Sequence, residues 1–165
     1  MNIDKKVKTL TASDIIRIMV KSLRKPWVQV DMSSWGGWGR DNKNKIICYG
    51  CAATNTLCEL LGEAIPNSHI YSSFHRAQFA QVRRWWLDTF EVAINRLRVG
   101  DLHSYNSFIK SIAKSAVIPE TLVENYSYIT PIPLPEIEND YTEQDLQAYE
   151  YLADVIDTYQ KENTK

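Results

Sequence analysis

Two amphipathic segments joined by a very short turn constrain the fold of this chain more than any other feature. In the first segment, apolar side chains recur at the 3.6-residue spacing of a helix; they are Trp86, Phe90, Ala93, Ile94 and Leu97. Gly100 supplies a left-handed position that ends this helix, and Asp101 caps the next one. The second segment repeats the spacing with Tyr105, Phe108, Ile109, Ile112 and Ala113. So short a connection predicts an antiparallel α-hairpin.

Further helices are predicted on both sides of this hairpin. One begins at Thr11 or Ser13 and ends before Pro26. Its apolar face comprises Ile15, Ile16, Met19, Val20 and Leu23. A helix over about 51–63 and a short one after Ser72 or Ser73 precede the hairpin. They add to the helical content of the chain.

The carboxyl-terminal segment has the start signal and the spacing of an amphipathic helix. Thr142 is followed three residues later by Asp145, in the manner of a capping box. The apolar positions that follow are Leu146, Tyr149, Leu152, Ala153, Ile156 and Tyr159. This face requires a partner surface, and we expect the helix to pack on the rest of the chain.

One short region favours β-structure. Residues 27–31 (WVQVD) alternate like a strand, residues 33–44 are rich in turn formers, and residues 45–47 are suited to a returning strand. The pattern predicts a small two-stranded β-hairpin near 27–47. Residues 117–130 are ambiguous, because Val117–Ile118 and Tyr126–Ile129 also suit an extended backbone.

These elements predict a mainly α single domain of five to six helices with a small β-hairpin, and hence some α+β character. The length of 165 residues and the 44% of hydrophobic residues suit one domain with a buried core. No apolar run approaches eighteen residues, which excludes a transmembrane helix, and we identify no signal peptide. Three cysteines, an odd number, favour reduced thiols and a cytoplasmic location.

Charge divides the chain unevenly. Residues 1–115 carry 17 basic and 9 acidic residues, whereas residues 116–165 carry 2 basic and 11 acidic ones. We therefore expect a basic helical body over 1–130, a Pro-rich strap over 131–140 and an acidic helix over 141–165 packed on the body.

The sequence ICYGCAATNTLC, which contains Cys48, Cys51 and Cys58, is the clearest candidate for chemistry. A thiol at a helix amino end can have a lowered pKa. One hypothesis is a redox protein with Cys48 attacking and Cys51 resolving. A second is a thiol-dependent enzyme with Cys51 as nucleophile and a histidine as base, the three candidates being His69, His75 and His103.

Two other interpretations of the cysteines remain open. A zinc site would take Cys48, Cys51 and Cys58 with His69 or His75, but the spacing lacks paired knuckles, and we predict no metal and no cofactor. The simplest interpretation makes the cysteines small buried hydrophobic residues that extend the core. It favours a protein without catalytic activity.

Aromatic and basic residues occur together at two places. Trp35, Trp38 and Arg40 lie in the glycine-bearing loop, and Arg83, Arg84 and Trp85 lie at the start of the α-hairpin. Such sets suit single-stranded nucleic acid, although the chain carries no known nucleic-acid motif and its pI is near 6.3. We interpret these six residues instead as a surface for a protein partner.

Three segments together resemble small proteins of unknown function from cyanobacteria. They are ICYGCAATNTLCELL over 47–61, LRVGD over 97–101 with Tyr105–Asn106, and Leu134–Pro135 with Asp140–Thr142. The resemblance implies a cyanobacterial, cytoplasmic protein and brings no activity with it.

The sequence thus predicts a non-enzymatic interaction or accessory protein that binds an unknown protein or a second copy of itself. Thiol chemistry at Cys51 and Cys48 and single-stranded nucleic-acid binding through the Trp/Arg loop are the alternatives.

Overall fold

The computed structural model describes a helical layer and a small sheet. The described residues are 10–31, 37–50, 55–56, 58–59, 110, 112–114, 116–130, 138–139 and 141–164. Within them, the order of elements is α1 (Ala12–Leu23), β1 (Val28–Asp31), β2 (Gly37–Arg40), β3 (Ile46–Gly50), α2 (Glu120–Ile129), β4 (Glu138–Asn139) and α3 (Glu143–Asn163). Residues 55–56, 58–59, 110, 112–114 and 116 are also helical. Mainly helical structure with a small sheet agrees with the predicted α+β character, whereas the count of five to six helices is not confirmed.

Capping boxes begin both long helices. Thr11 accepts a hydrogen bond from the backbone N–H of Asp14, whose carboxylate accepts from the N–H of Thr11 in return. Thr142 and Asp145 make the same pair of bonds at the start of α3. Each box satisfies amide groups that the first turn of a helix leaves without partners.

The core lies between α1 and α3. It comprises the apolar faces of both helices together with Cys58, Ile112, Ala113, Ala116, Ile118 and Val123. Arg17 of α1 and Arg24, the residue that caps its carboxyl end, reinforce this contact at the surface. Arg17 pairs with Asp154 and Asp157, and Arg24 pairs with Glu143 and Glu150, at 2.5–2.8 Å. Since the earlier arginine contacts the later part of α3, the two helices run antiparallel.

The predicted β-hairpin is wrong in its pairing. The sheet has the order β2-β3-β1-β4, and β1 pairs with β3 in parallel rather than as the first strand of a hairpin. The hairpin in the structure joins β2 to β3, and residues 37–40, which we assigned to a loop, form its first strand. The tight turn is built by Asp41, whose carboxylate accepts from the N–H groups of Lys43 and Lys45, while Asn44 adopts a left-handed conformation.

Residues 117–130, which were ambiguous in sequence, contain a helix. The extended interpretation of Tyr126–Ile129 is wrong, because these residues form the last turn of α2. Val123 is completely buried, and the hydroxyl of Tyr126 donates to the Ala148 carbonyl of α3 at 2.8 Å. Packing on α3 therefore outweighs the β-propensity of tyrosine and isoleucine.

A buried asparagine joins the sheet to the helices. Asn55 is 1% exposed, and its side-chain amide donates to the carbonyls of Gln29 in β1 and Gly50 in β3. The backbone carbonyl of Asn55 accepts from the hydroxyl of Ser22 in α1. These bonds fix the ends of β1 and β3 relative to α1.

Candidate functional site: a tyrosine groove

A groove lies between α2 and the carboxyl-terminal half of α3. It encloses about 540 Å³, and Leu122 and Tyr126 on α2 face Tyr151, Val155 and Tyr159 on α3 across it. We call it the tyrosine groove. Leu122, Tyr126 and Tyr159 are half-buried and pack on the core below, whereas Tyr151 is 58% exposed at the rim.

The sequence spacing of both helices explains this surface. Leu122 and Tyr126 are four residues apart and lie on one side of α2, next to the buried Val123. On α3 the lining residues Tyr151, Val155 and Tyr159 follow the same four-residue spacing. The neighbouring positions on α3, such as Leu152 and Ile156, are buried in the core. The helix therefore has one apolar side in the interior and a second apolar side that faces the groove.

The floor of the groove is held by Tyr126. Its ring lies over α3, since its hydroxyl reaches the Ala148 carbonyl. Burial raises the pKa of Tyr126, and the neighbouring Tyr151 and Asp154 act in the same direction, whereas a hydrogen bond with Thr130 opposes them. The phenol therefore stays neutral through the physiological range and remains a hydrogen-bond donor to α3.

The rim of the groove is acidic. Asp154 and Glu162 line it on the α3 side. Asp154 is well exposed although one of its oxygens accepts from Arg17 at 2.7 Å, and within the described residues Glu162 makes no ion pair. The segments 116–130 and 141–164, which supply both walls, contain eight acidic residues and one lysine.

The apolar surface continues beyond the groove. Ile129, at the end of α2, is 84% exposed, and Thr130 next to it lines the groove. Exposed apolar area beside a groove with an acidic rim can accept a larger molecule than the groove itself holds.

The structure gives Cys48 the environment of a buried thiol. Cys48 lies on β3, is 2% exposed and belongs to the side of the strand that faces inward. Burial raises its pKa to about 11, although Lys25 acts in the opposite direction. A raised pKa is the reverse of what an attacking thiolate needs. Cys58 is also buried and is part of the core.

Most of the other residues that the sequence singled out lie outside the described residues. These are Cys51, His69, His75, His103, Trp35, Arg83, Arg84 and Trp85. Trp38 pairs with Cys48 in the register of β2 and β3. Arg40 is exposed, and its guanidinium donates to the carbonyl of Asn44 at 2.8 Å, which fastens the turn between the strands.

Neither a metal-binding cluster nor a membrane-spanning helix is present in the described ranges. No three His, Cys, Asp or Glu side chains converge there as a metal site. None of the helices in those ranges combines the length and the apolar content that a membrane crossing requires.

Sequence reasoning did not find the tyrosine groove. Its α3 wall follows from the predicted helix, but its α2 wall depends on residues that also suit an extended backbone. The available signal was Pro119, since proline is common at the start of a helix, followed by Leu122, Val123 and Tyr126 at helical spacing. Comparison of the chain with protein-family models, curated proteins and solved structures gave no match.

Proposed function

We propose that this chain is a non-enzymatic interaction protein that binds a protein partner through the tyrosine groove. The observation that carries the proposal is the combination, on one face, of three tyrosines with exposed apolar area and acidic residues at the rim. Tyrosine is enriched at protein interfaces because its ring buries apolar area while its hydroxyl keeps a polar partner.

The environment of Cys48 supports this proposal over thiol chemistry. A protonated, buried sulfur neither attacks a substrate nor binds a metal readily. The acidic rim also disfavours phosphate at this face, because like charges repel. Thiol chemistry that uses Cys48, and phosphate binding at the groove, therefore rank below partner binding, while Cys51 and the Trp/Arg loop remain the alternative proposals.

Other expectations stay as predictions. The surface around Trp35, Trp38 and Arg40 remains a second candidate contact, and self-association remains an alternative to a different partner. The same holds for the cytoplasmic location and the cyanobacterial resemblance.

Site-specific photo-crosslinking in cells tests the proposal. A benzophenone amino acid replaces Tyr151 in one variant and Tyr128 in its control; Tyr128 is 86% exposed on α2 but does not line the groove. We expect a discrete crosslinked product from position 151 and none from position 128. Absence of a product at 151, or equal products at both positions, would contradict a specific partner at the groove.

A further inference from the structure

The tyrosine groove carries a charge pattern that restricts what binds to it. The following inference rests on the proposed function and names the chemistry of the partner. We propose that the groove binds a cationic amphipathic segment of another protein, with its apolar side in the groove and its lysine or arginine side chains beside Asp154 and Glu162.

The charge of the two walls is the first argument. Their acidic residues greatly outnumber their basic ones, and Arg17 and Arg24 pair with carboxylates on the side of α3 that faces α1, Asp154 of the groove among them. Glu162 lies at the other side, where no described basic residue pairs with it. A carboxylate at the rim of an apolar groove favours a cationic partner and disfavours an anionic one.

The free acceptor capacity of Asp154 is the second argument. Arg17 bonds one oxygen of this carboxylate, and two oxygens together accept up to about four hydrogen bonds. Asp154 is also 65% exposed, so an incoming guanidinium or ammonium group has access to it. Arg17 therefore holds the carboxylate of Asp154 in place and leaves some of its hydrogen-bond acceptor positions open to a partner.

The tyrosine rings are the third argument. A cation over the face of an aromatic ring is attracted by the negative charge of that face, and more strongly when the cation is desolvated. Tyr151 lines the groove together with Asp154, three residues later on the same helix. The side chain that pairs with Asp154 therefore meets an aromatic neighbour as well.

The length of the groove fits a short helix. The lining residues of α3 extend from Tyr151 to Glu162, which corresponds to roughly 16 Å at 1.5 Å per residue. A partner helix of about three turns spans this distance, with apolar positions three and four residues apart. The exposed Ile129 extends the apolar contact at one end.

Binding of designed peptides to the whole chain tests the inference. The probe is a fluorescein-labelled 14-residue helix of leucine and lysine in an amphipathic pattern, and its control replaces every lysine with glutamate. By fluorescence anisotropy we expect the lysine peptide to bind in the micromolar range and to weaken with added salt. The glutamate peptide should not bind.

Groove variants and matched controls locate the binding. Tyr151→Ala should weaken binding about tenfold, as loss of an interface aromatic does, and Glu162→Gln about threefold. Tyr128→Ala and Glu120→Gln, outside the groove, should stay within about twofold of the original affinity. Circular dichroism establishes that each variant is folded.

The outcomes separate the proposals. Equal binding by Tyr151→Ala and Tyr128→Ala, or equal affinity for both peptides, overturns the inference. So does sedimentation showing a dimer of the chain that Tyr151→Ala dissociates, since the occupant is then a second copy. A crosslink at position 151 without peptide binding leaves partner binding intact and overturns only the cationic segment.

Discussion

Val117 has a backbone conformation that β-branched residues rarely adopt. Its φ is 55°, and it directly follows the helical residue 116. The N–H of Ile118 bonds the carbonyl of Ala113 at 3.0 Å, and that of Val117 bonds Lys114 at 3.3 Å. This pattern of bonds ends many helices and ordinarily places glycine at the left-handed position. Valine there stores strain without contributing packing, because it is 84% exposed.

We therefore expect Val117→Gly to raise the free energy of unfolding by about 1 kcal/mol, the cost of a left-handed residue with a side chain. Urea denaturation measures the change. As a control, Asn125→Gly in the body of α2 should slightly lower stability, because glycine disfavours a helix. A Val117→Gly protein no more stable than the original would show that the strain is absent.

The thiol of Cys48 makes a pH-dependent contribution to stability. Its pKa is raised to about 11 in the folded chain, whereas an unfolded thiol ionises near 8.5. Below about pH 8.5 the thiol is protonated in both the folded and the unfolded chain, so the free energy of unfolding does not change with pH on its account. Above it only the unfolded chain releases the proton, so stability falls as the pH rises toward 11.

Cys48→Ala should accordingly flatten the stability profile between about pH 9 and pH 11. The substitution should remove a slope of up to about 1.4 kcal/mol of unfolding free energy per pH unit, which is the value for the release of one proton. Urea midpoints at several pH values measure it, with the original chain as the reference. Identical slopes in the two proteins would mean that the Cys48 sulfur is not buried.

Among the elements, those with local signals were predicted best. Thr11, one of the two predicted cap candidates, and the predicted capping box at Thr142 begin helices in the structure, and the apolar spacing follows, because caps and spacing act within a few residues. The sheet was not predicted correctly. The pairing of β1 with β3 depends on residues about twenty positions apart, which no local pattern encodes.

The helix α2 illustrates the second limit of sequence reasoning. Its last turn contains Tyr126, Tyr128 and Ile129, which intrinsically favour strands. It is helical because Val123 and Tyr126 pack on α3. Since one wall of the tyrosine groove depends on α2, the candidate site was hidden from sequence for the same reason.

The docking of α2 should depend on the hydroxyl of Tyr126. We expect Tyr126→Phe to lower the free energy of unfolding by about 1 kcal/mol, the net value of one hydrogen bond. Tyr128→Phe removes the same atom from an exposed site and should change nothing measurable. Thermal unfolding of the two variants provides the comparison, and equal midpoints would exclude a stabilising bond to Ala148.

At the scale of the whole molecule, charges join the parts of the chain. Glu59, in a helical stretch, pairs with Lys21 of α1 and with Lys25, which lies two residues beyond the end of that helix. Burial opposes the ionisation of Glu59, but the hydrogen bonds from the two lysines outweigh it and lower its pKa. The ion pairs of Glu59 contribute fully to stability above the pKa of a glutamate in the unfolded chain, about 4.3. The contribution is lost as the pH falls through the lower pKa that Glu59 has in the folded chain.

Glu59→Gln should therefore lower stability at pH 7 by about 2 kcal/mol, the value of hydrogen bonds to a charged group. The difference from the original chain should shrink as the pH approaches 3. Glu120→Gln, which breaks a more exposed pair with Lys110 at 3.4 Å, should have little effect at either pH. Urea unfolding at both pH values tests this, and a deficit that persists at pH 3 would assign the effect to packing.

The acidic carboxyl-terminal half thus has two sides. One side of α3 pairs with Arg17 and Arg24 and is thereby fixed to α1. The other side borders the tyrosine groove, and its carboxylates make fewer ion pairs with described residues. Contacts among the described residues account for only part of the uneven charge visible in the sequence. In our proposal, carboxylates beside the groove bind the partner.

Hydrogen exchange of the chain with and without the leucine–lysine peptide tests the use of this groove most directly. We predict slower amide exchange over 120–130 and 151–162 when the peptide is bound, with little change in the turn between β2 and β3. Protection confined to residues 37–44 would contradict the groove as the binding surface and would favour the contact predicted around Arg40.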